Sequence, residues 1–236
     1  MVFNDGDFVK VDYSAWRIAD SKLVYTSMKK VAEGNEIYDE NIRYVPQLVI
    51  IGKKSAIKGF EDAIKGMSVN ETKKVEIAPK DAFGERHPEL IKVLPISDFL
   101  KRDIAPYPGM QLDLDGAVAT IKSVNSGRVV VDANHPLAGE KLMYEIRLIE
   151  KVEKEEDKIK AIADTYSLTP DSVAVSAGNA KVVFGEKTAK DKAYLVNKND
   201  FVGAVLAFMS SISKVTVEED YVREKKEEEG KDKGAE

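Results

Sequence analysis

The side chains best suited to acid–base or metal chemistry are scarce in this chain. His87 and His135 are the only histidines, and there is no cysteine to act as a nucleophile, a zinc ligand or a disulfide partner. The sequence also lacks the Ser-x-x-Lys, Gly-x-Ser-x-Gly, Walker and dinucleotide-binding patterns. We therefore expect no metal site and no cofactor, and any chemistry must come from other residue types.

The remaining candidates are aromatic and aliphatic residues that stand beside glycines. They occur in three stretches, which read I-K-G-F-E-D-A-I-K-G-M-S-V at 57–69, I-A-P-K-D-A-F-G at 77–84 and N-H-P-L-A-G-E-K-L-M-Y at 134–144. Each apolar residue, taken alone, is explained by core packing and turns.

The elements that must position these residues follow from the surrounding periodicity. Alternation of apolar and polar residues predicts strands at 7–16, 22–27, 45–51, 71–78 and 142–152. Helical spacing at 57–65, ended by Gly66, predicts a short helix. Together they predict an antiparallel sheet with one short helix packed against it.

The block between Gly84 and Gly139 has a pattern of its own. Prolines at 88, 95, 106 and 108 break the chain. Asn125-Ser126-Gly127 predicts a hairpin that joins strands at 117–124 and 128–133, and a further strand is expected at 109–113. This block is predicted to be a small β-rich domain that interrupts the first one.

The sequence pattern of the C-terminal third predicts a separate α+β domain. A charge run at 153–157 indicates a linker, followed by a helix at 158–166 and strands at 173–175 and 181–184. An apolar helix is expected at 200–211, capped by Asn199, and a strand from residue 214. Residues 223–236 are almost all charged or glycine, which predicts disorder.

Composition narrows the function classes. The 236 residues suit two or three modest domains, and 43% hydrophobic with 33% charged residues allow a core and a soluble surface. A net charge of -5 with both signs mixed argues against a nucleic-acid partner. The N-terminus has no apolar signal core, and the longest apolar stretch, 201–212, is too short to cross a bilayer. We therefore expect a cytoplasmic protein without a membrane partner.

The order of the three stretches resembles the FKBP-type peptidyl-prolyl cis-trans isomerases, and more narrowly their SlyD-like and long archaeal members. In those proteins an insert-in-flap domain lies between the A-F-G and L-A-G segments, where this chain has its proline-rich block. The resemblance implies an α+β fold with an antiparallel FKBP half-barrel around a short helix at 1–84 and 139–152. It further implies an inserted β-rich chaperone domain at 85–138 and a C-terminal α+β domain at 155–222.

The resemblance also implies a pocket for a proline ring, with Phe60 as its floor. The walls and one edge would be formed by residues at the matching positions: Tyr13, Val24, Phe83, Tyr144, Ala56 and Ile57. The Ile57 backbone N–H would donate a hydrogen bond to a substrate carbonyl beside the proline. Rotation of an X-Pro bond has a barrier of about 18–20 kcal/mol and needs no nucleophile, so binding the twisted form better than the planar form is sufficient catalysis.

Three positions depart from the family pattern. Tyr25 stands where Asp is common, Gln47 where Leu or an aromatic residue is common, and Phe83 where Tyr is common. The histidine-rich tail that some SlyD-like proteins carry is absent, so nickel binding is not expected. The departures leave open an alternative in which the chain is a non-catalytic, client-binding chaperone on an FKBP scaffold.

The partners implied by the resemblance are unfolded or partly folded proteins with X-Pro bonds. The insert would bind them through strand edges and apolar side chains, with the candidates Leu112, Leu114, Val129 and Val131. The apolar C-terminal helix must be buried in its own domain or in a partner, and a homodimer would bury it. A third reading makes the C-terminal domain an assembly module with one specific partner. The crossings near Gly84 and Gly139 predict that the insert moves relative to the barrel.

Overall fold

A computed structural model describes residues 3–114 and 116–221, without the side chains of Leu114 and Ala117. The predicted disordered tail at 223–236 lies outside the described residues. Within them the chain forms strands β1 (Phe8–Arg17), β2 (Lys22–Thr26), β3 (Gln47–Ile50), β4 (Thr72–Ile77), β5 (Ile91–Pro95), β6 (Gln111–Leu114), β7 (Ala117–Asn125), β8 (Arg128–Asp132), β9 (Leu142–Val152), β10 (Ser172–Ser176), β11 (Asn179–Gly185) and β12 (Lys214–Asp220). The α-helices are α1 (Lys29–Gly34), α2 (Lys58–Lys65), α3 (Ile96–Leu100), α4 (Glu155–Thr165), α5 (Glu186–Ala189) and α6 (Tyr194–Phe208).

The strands form three sheets. The first has the order β2-β1-β9-β4, with β3 also paired to β1. The second has the order β5-β8-β7-β6 and is antiparallel throughout. The third has the order β10-β11-β12, and here β12 runs parallel to β11 while β10 runs antiparallel. Antiparallel pairing and several helices therefore agree with the predicted α+β class.

Of the described residues, one compact unit comprises Phe3 and those at 11–46 and 54–149. Its β9 strand alternates buried and less buried residues and pairs with β4 from Leu142 opposite Ile77 to Arg147 opposite Thr72. Helix α2 buries Phe60, Ala63 and Ile64, a spacing that places them on one face. These elements coincide closely with the predicted sheet and helix.

Inside this unit, residues of the predicted insert have their own hydrophobic cluster. Phe99 of α3 packs with Ala119 and Ile121 of β7 and with Val129 and Val131 of β8. Strands β7 and β8 are joined by a two-residue turn in which Ser126 and Gly127 both have positive φ, as a type I′ hairpin requires. The predicted hairpin is confirmed, whereas β5, α1, α3 and α5 gave no clear signal in the sequence.

The other compact unit comprises the described residues at 4–10, 47–53 and 150–221. Its core surrounds Phe184, whose ring centroid lies 5.5 Å from that of Tyr194 and 6.0 Å from that of Phe201. Phe8 and Ile50, from the distant N-terminal segments of this unit, belong to the same hydrophobic cluster. The sequence offered no sign that these two segments join the C-terminal core.

Two boundary predictions in this unit are wrong. Residues 153–157 are not a linker, because Glu155, Glu156 and Asp157 form the first turn of α4, where acidic side chains interact favourably with the helix dipole. Asn199 is not a cap, because α6 begins at Tyr194 and Asn199 lies inside it. Burial of Tyr194 against Phe184 extends the helix N-terminally beyond the purely apolar run.

In the part of the chain that the structure describes, no helix combines the length and apolarity needed to cross a membrane.

The two faces of α6 should respond very differently to the same truncation. Phe201→Ala removes a fully buried ring and should lower the free energy of unfolding by about 3–5 kcal/mol. Leu195→Ala, on the same helix but 65% exposed, should change it by no more than about 0.5 kcal/mol. Chemical denaturation of both variants would measure the difference, and equal losses would contradict the observed orientation of α6.

Candidate functional site

Three aromatic rings from three elements meet at one end of the first sheet. The ring centroid of Phe60 lies 5.4 Å from that of Tyr13 and 5.3 Å from that of Tyr144, with both pairs edge to face. Tyr13 and Tyr144 are stacked at 6.0 Å. Phe60 and Tyr144 are buried and Tyr13 is partly buried, so this aromatic cluster (Tyr13, Phe60, Tyr144) is continuous with the core.

Phe60 is positioned by the start of α2. Ile57 has extended backbone geometry, and its carbonyl accepts hydrogen bonds from the N–H groups of Phe60 and Glu61, both at 3.1 Å. Gly59 lets the helix approach β4, because a Cβ at this position would overlap Cγ2 of Ile77. The I-x-G-F sequence thus sets both the beginning of the helix and the depth of the ring.

Tyr13 is held through its backbone by polar side chains of β2 and the residue that follows it. Its N–H donates to Oγ of Ser27 at 3.0 Å, and its carbonyl accepts from Oγ1 of Thr26 at 3.0 Å. Ser27 is itself buried and donates to a carboxylate oxygen of Asp12 at 3.0 Å. The Thr-Ser pair therefore fixes the strand that carries Tyr13, a role that the sequence analysis missed.

A β-bulge at Val24, a partly buried residue, directly precedes Tyr25, which lies beside this cluster. Ala15 pairs with Tyr25 but Trp16 pairs with Leu23, so Val24 is the extra residue, and such bulges redirect side chains. Tyr13 lies two residues before Ala15, which makes Tyr13 and Tyr25 diagonal cross-strand neighbours within reach of aromatic side chains. Tyr25, at the position where the family commonly has Asp, therefore lies at the edge of the cluster and is 40% exposed.

A second group of rings continues from Tyr25. The Tyr25 and Phe83 centroids are 6.1 Å apart, and Phe83 lies flat on His135 with a centroid distance of 4.2 Å and an angle of 1°. The backbone N–H of Leu137 donates to Nδ1 of His135 at 3.1 Å, which requires an unprotonated Nδ1. The predicted wall residue Phe83 is thus braced by a histidine for which the sequence suggested no role.

The edge residues Ala56 and Ile57 precede α2 and are both partly buried. Among the described residues, no acceptor is present for the Ile57 N–H, so this donor is available to a ligand.

Burial controls the ionisation of the aromatic cluster. It raises the pKa of Tyr144 well above its ordinary value of 10.0, with smaller contributions from the neighbouring Tyr13 and Tyr25. Burial, and then Tyr25, likewise raises the pKa of Tyr13. Partial burial lowers the pKa of His135 below 6.5. At neutral pH the phenols of Tyr13 and Tyr144 are therefore protonated donors, and the imidazole of His135 is neutral.

The insert residues predicted to bind clients do not share one surface. Val129 and Val131 are buried in the cluster around Phe99, and Leu112 is partly buried against it. The side chain of Leu114 lies outside what the structure describes. The prediction that Val129 and Val131 contact a client is therefore corrected, because strand alternation turns both toward the insert core.

The opposite face of the insert sheet carries a different apolar set. Val93 and Val118 are 59% and 67% exposed, and Val130, paired with Val93 in the register, is partly exposed. We call Val93, Val118 and Val130 the outer valines. Val130 lies between the buried Val129 and Val131 on β8, so its side chain is on the opposite face of the strand from the two predicted ones.

The unit that contains residues 150–221 has a groove of about 510 Å³, lined by four lysines and four acidic residues among others. Two of these lysines pair with acids of the same groove, Lys10 with Glu150 at 2.9 Å and Lys160 with Asp157 at 3.8 Å, and Lys151 pairs with Asp7 at 3.0 Å. Balanced and paired charges give no preference for a charged ligand, and we assign no site there.

In a comparison with known proteins, two family models match regions of this chain. The sequence model described as FKBP-type peptidyl-prolyl cis-trans isomerase matches residues 2–100. A second model, described as the IF domain of FKBP26, matches residues 92–137.

Three individual relatives are likewise named as peptidyl-prolyl cis-trans isomerases. A short-type peptidyl-prolyl cis-trans isomerase of Methanocaldococcus jannaschii is 39% identical over 143 residues, which are 61% of this chain and 90% of the relative. SlyD of Helicobacter pylori, an FKBP-type peptidyl-prolyl cis-trans isomerase, is 30% identical over 131 residues, 54% of this chain and 70% of the relative. SlyD of Escherichia coli is 26% identical over 147 residues, 61% and 74% of the two chains.

The raised phenol pKa values predict a late titration of the cluster. In the folded protein, the ¹³Cζ resonances of Tyr13 and Tyr144 should keep their protonated positions beyond a pH of about 10, where the same tyrosines ionise in the denatured chain. Because the folded-state pKa values are the higher ones, these tyrosines stabilise the fold below pH 10 and lose that contribution as the pH rises further. Ionisation of either residue at or below its denatured-state pKa would contradict the burial described above.

Proposed function

The chain belongs to the family of FKBP-type peptidyl-prolyl cis-trans isomerases, and from that premise we propose that it speeds protein folding in the cytoplasm by rotating X-Pro bonds while its insert binds unfolded client chains. The observation that carries the proposal is the aromatic cluster of Tyr13, Phe60 and Tyr144, with the available N–H of Ile57 at its edge. An apolar floor and a single directed donor are what the reaction requires of a protein.

In the proposed mechanism the proline ring rests on Phe60, between Tyr13 and Tyr144. The planar imide has charge on its oxygen that water stabilises, and an apolar site withdraws that water, so the planar form loses more stabilisation than the twisted form. The Ile57 N–H holds a flanking carbonyl of the client and fixes the twist. Catalysis is then tighter binding of the twisted state, without proton transfer or a covalent intermediate.

Tyr25 changes the polar character of the site edge. A carboxylate at this position could only accept hydrogen bonds, whereas the phenol can also donate one. Tyr25 lies beside Tyr13 and Phe83 and is partly exposed, so its hydroxyl can reach a bound peptide. We propose that it replaces the missing Asp as the polar contact to the client backbone, which favours the catalytic reading over the non-catalytic one.

The outer valines are the proposed client surface of the insert. Val93 and Val130 are paired neighbours on β5 and β8, Val118 lies further along β7 on the same face, and β5 and β6 are the edge strands of their sheet. An extended client can pair with such an edge through its backbone and place alternate side chains on the valines. A client held there raises the local concentration of its prolines near the aromatic cluster.

The test is a protease-free refolding assay on a protein whose slow step is proline isomerisation, run beside an X-Pro tetrapeptide. Phe60→Leu keeps an apolar side chain but removes the ring, and should lower kcat/KM on both substrates by on the order of tenfold. A variant lacking residues 86–137 should lose more activity on the protein than on the tetrapeptide, because only the protein gains from the local concentration that the insert provides, whereas the loss of His135 from Phe83 affects both rates alike.

Circular dichroism and unfolding curves provide the folding control for both variants. If the folded wild-type protein accelerates neither substrate but still suppresses aggregation, the non-catalytic chaperone reading is correct. If the deletion lowers both rates equally, the insert supports the barrel and does not bind clients.

We further propose that two copies of the chain associate through α6. Leu195 and Leu206 are exposed on one side of this helix, with Gly203 between them. Nothing among the described residues lies within 4 Å of the position that a Cβ would take at Gly203, so a second helix can approach closely there. A two-fold contact of this face with itself would cover both leucines.

Sedimentation equilibrium tests the proposed dimer. The wild-type protein should sediment as a dimer and Leu206→Asp as a monomer, because a charge in the contact would be desolvated without a partner. Leu100→Asp, an exposed leucine in the insert, is the matched control and should leave the dimer intact. A monomeric wild-type protein would contradict the proposal.

A further inference from the structure

The insert joins the barrel through two chain segments that lie against each other. The N–H of Gly139 donates to the carbonyl of Gly84 at 2.9 Å, and both glycines have positive φ, at +80° and +82°. A Cβ at Gly139 would lie only 3.1 Å from Cβ of Arg86. The entering and leaving segments therefore meet where side chains would keep them apart.

A buried carboxylate crosses between the same two segments. Asp132, at the end of β8 and 2% exposed, forms an ion pair with Arg86 of the entering segment. Its Oδ1 accepts hydrogen bonds from the backbone N–H of Asn134 at 3.0 Å and from its Nδ2 at 2.8 Å. Lys122 of β7 is a weaker charged neighbour at 4.0 Å. Burial alone would raise the pKa of Asp132, but the Asn134 hydrogen bonds and the two cations outweigh it and lower the net pKa.

Asn134 adds a second cross-link. Its Oδ1 accepts from the backbone N–H of His87 at 2.8 Å, and its Nδ2 donates to the His87 carbonyl at 2.9 Å. The side-chain amide thus pairs with the backbone of the entering segment as a neighbouring strand would. We call Arg86, Asp132 and Asn134 the clamp.

The clamp is directly connected to the aromatic rings of the site. His135 follows Asn134 in the chain and lies flat on Phe83. Phe83 precedes Gly84, so the ring stack and the glycine contact belong to the same two segments. Any rotation of the insert about this crossing must break the clamp or slide His135 across Phe83.

We propose that Asp132 is a positioning residue for protein clients: it holds the insert in one orientation relative to the aromatic cluster, so that a chain bound to the outer valines reaches the cluster. The inference rests on the proposed client binding by the insert. A buried ion pair adds little net stability compared with apolar residues of the same size, but it admits few geometries. If the insert is held in the orientation that suits a bound client, the effective concentration of the client at the aromatic cluster is high. If the insert is loosely held, that effective concentration falls.

Distance measurement tests the orientation without reference to activity. The chain has no cysteine, so spin labels can be attached at Lys74→Cys in β4 and Tyr107→Cys in the insert, both exposed positions. Electron–electron double resonance, on labelled chains diluted with an excess of unlabelled chains so that distances within one chain dominate, should give one narrow distance distribution in the otherwise wild-type protein and a broad one with Asp132→Asn. Asp98→Asn, which removes an exposed carboxylate of the insert paired with Lys101, is the matched control and should leave the distribution narrow.

Steady-state kinetics test whether the orientation of the insert affects catalysis on a protein client. Asp132→Asn should raise KM for an unfolded protein client by roughly three- to tenfold with little change in kcat, and leave tetrapeptide kcat/KM within about twofold. Arg86→Gln, which perturbs the insert core less, should reproduce this split, and the double variant should be no worse than either single variant because both remove one interaction.

The outcomes separate this inference from the proposed function. A narrow distance distribution in both Asp132→Asn and Arg86→Gln overturns the clamp, whatever the kinetics. A broadened distribution with unchanged KM for the protein client shows that orientation does not matter for catalysis and also overturns the inference. If the deletion of residues 86–137 leaves protein refolding rates unchanged, client binding by the insert is wrong, and the distance measurement still decides whether Asp132 orients it.

Discussion

Edge-to-face packing of Phe60 against Tyr13 and Tyr144 is the interaction on which both the barrel and its site depend. The rings come from β1, α2 and β9, so their burial brings the helix onto the sheet. Aromatic pairs of this geometry stabilise beyond the area that they bury, by about 0.5–1.5 kcal/mol each. Because the cluster is the end of the core, the site needs no separate scaffold, and a change that loosens the core also changes the site.

This arrangement explains why the chain can be an enzyme with so few reactive groups. Protonated phenols, a neutral imidazole and one unpaired backbone N–H provide donors but no nucleophile. Such a site can distinguish two rotational states of one bond, and bond rotation is the chemistry of prolyl isomerisation. The environment has to be apolar and rigid, and both properties come from packing.

The predicted insert leaves and rejoins the rest of its unit at neighbouring points. Entry and exit lie beside each other at Gly84 and Gly139, so the barrel loses no strand pairing to the insertion. Phe83 stacks on His135, and Arg86 pairs with Asp132, across the same two segments. The proposed substrate contacts and the proposed orientation of the insert would therefore involve the same two short segments.

The sequence by itself determined the periodic elements and the motif positions. Local alternation and glycine placement were enough for β9, α2 and the Ser126-Gly127 hairpin, and motif order was enough for the family and for Tyr13, Phe60 and Tyr144 as neighbours. Tertiary structure alone decided which valines of the insert face inward, how far α6 extends, that Phe8 and Ile50 join the C-terminal core, and that Asp132 is buried against Arg86. Each of these depends on contacts between residues far apart in the chain, and local periodicity contains no information about such partners.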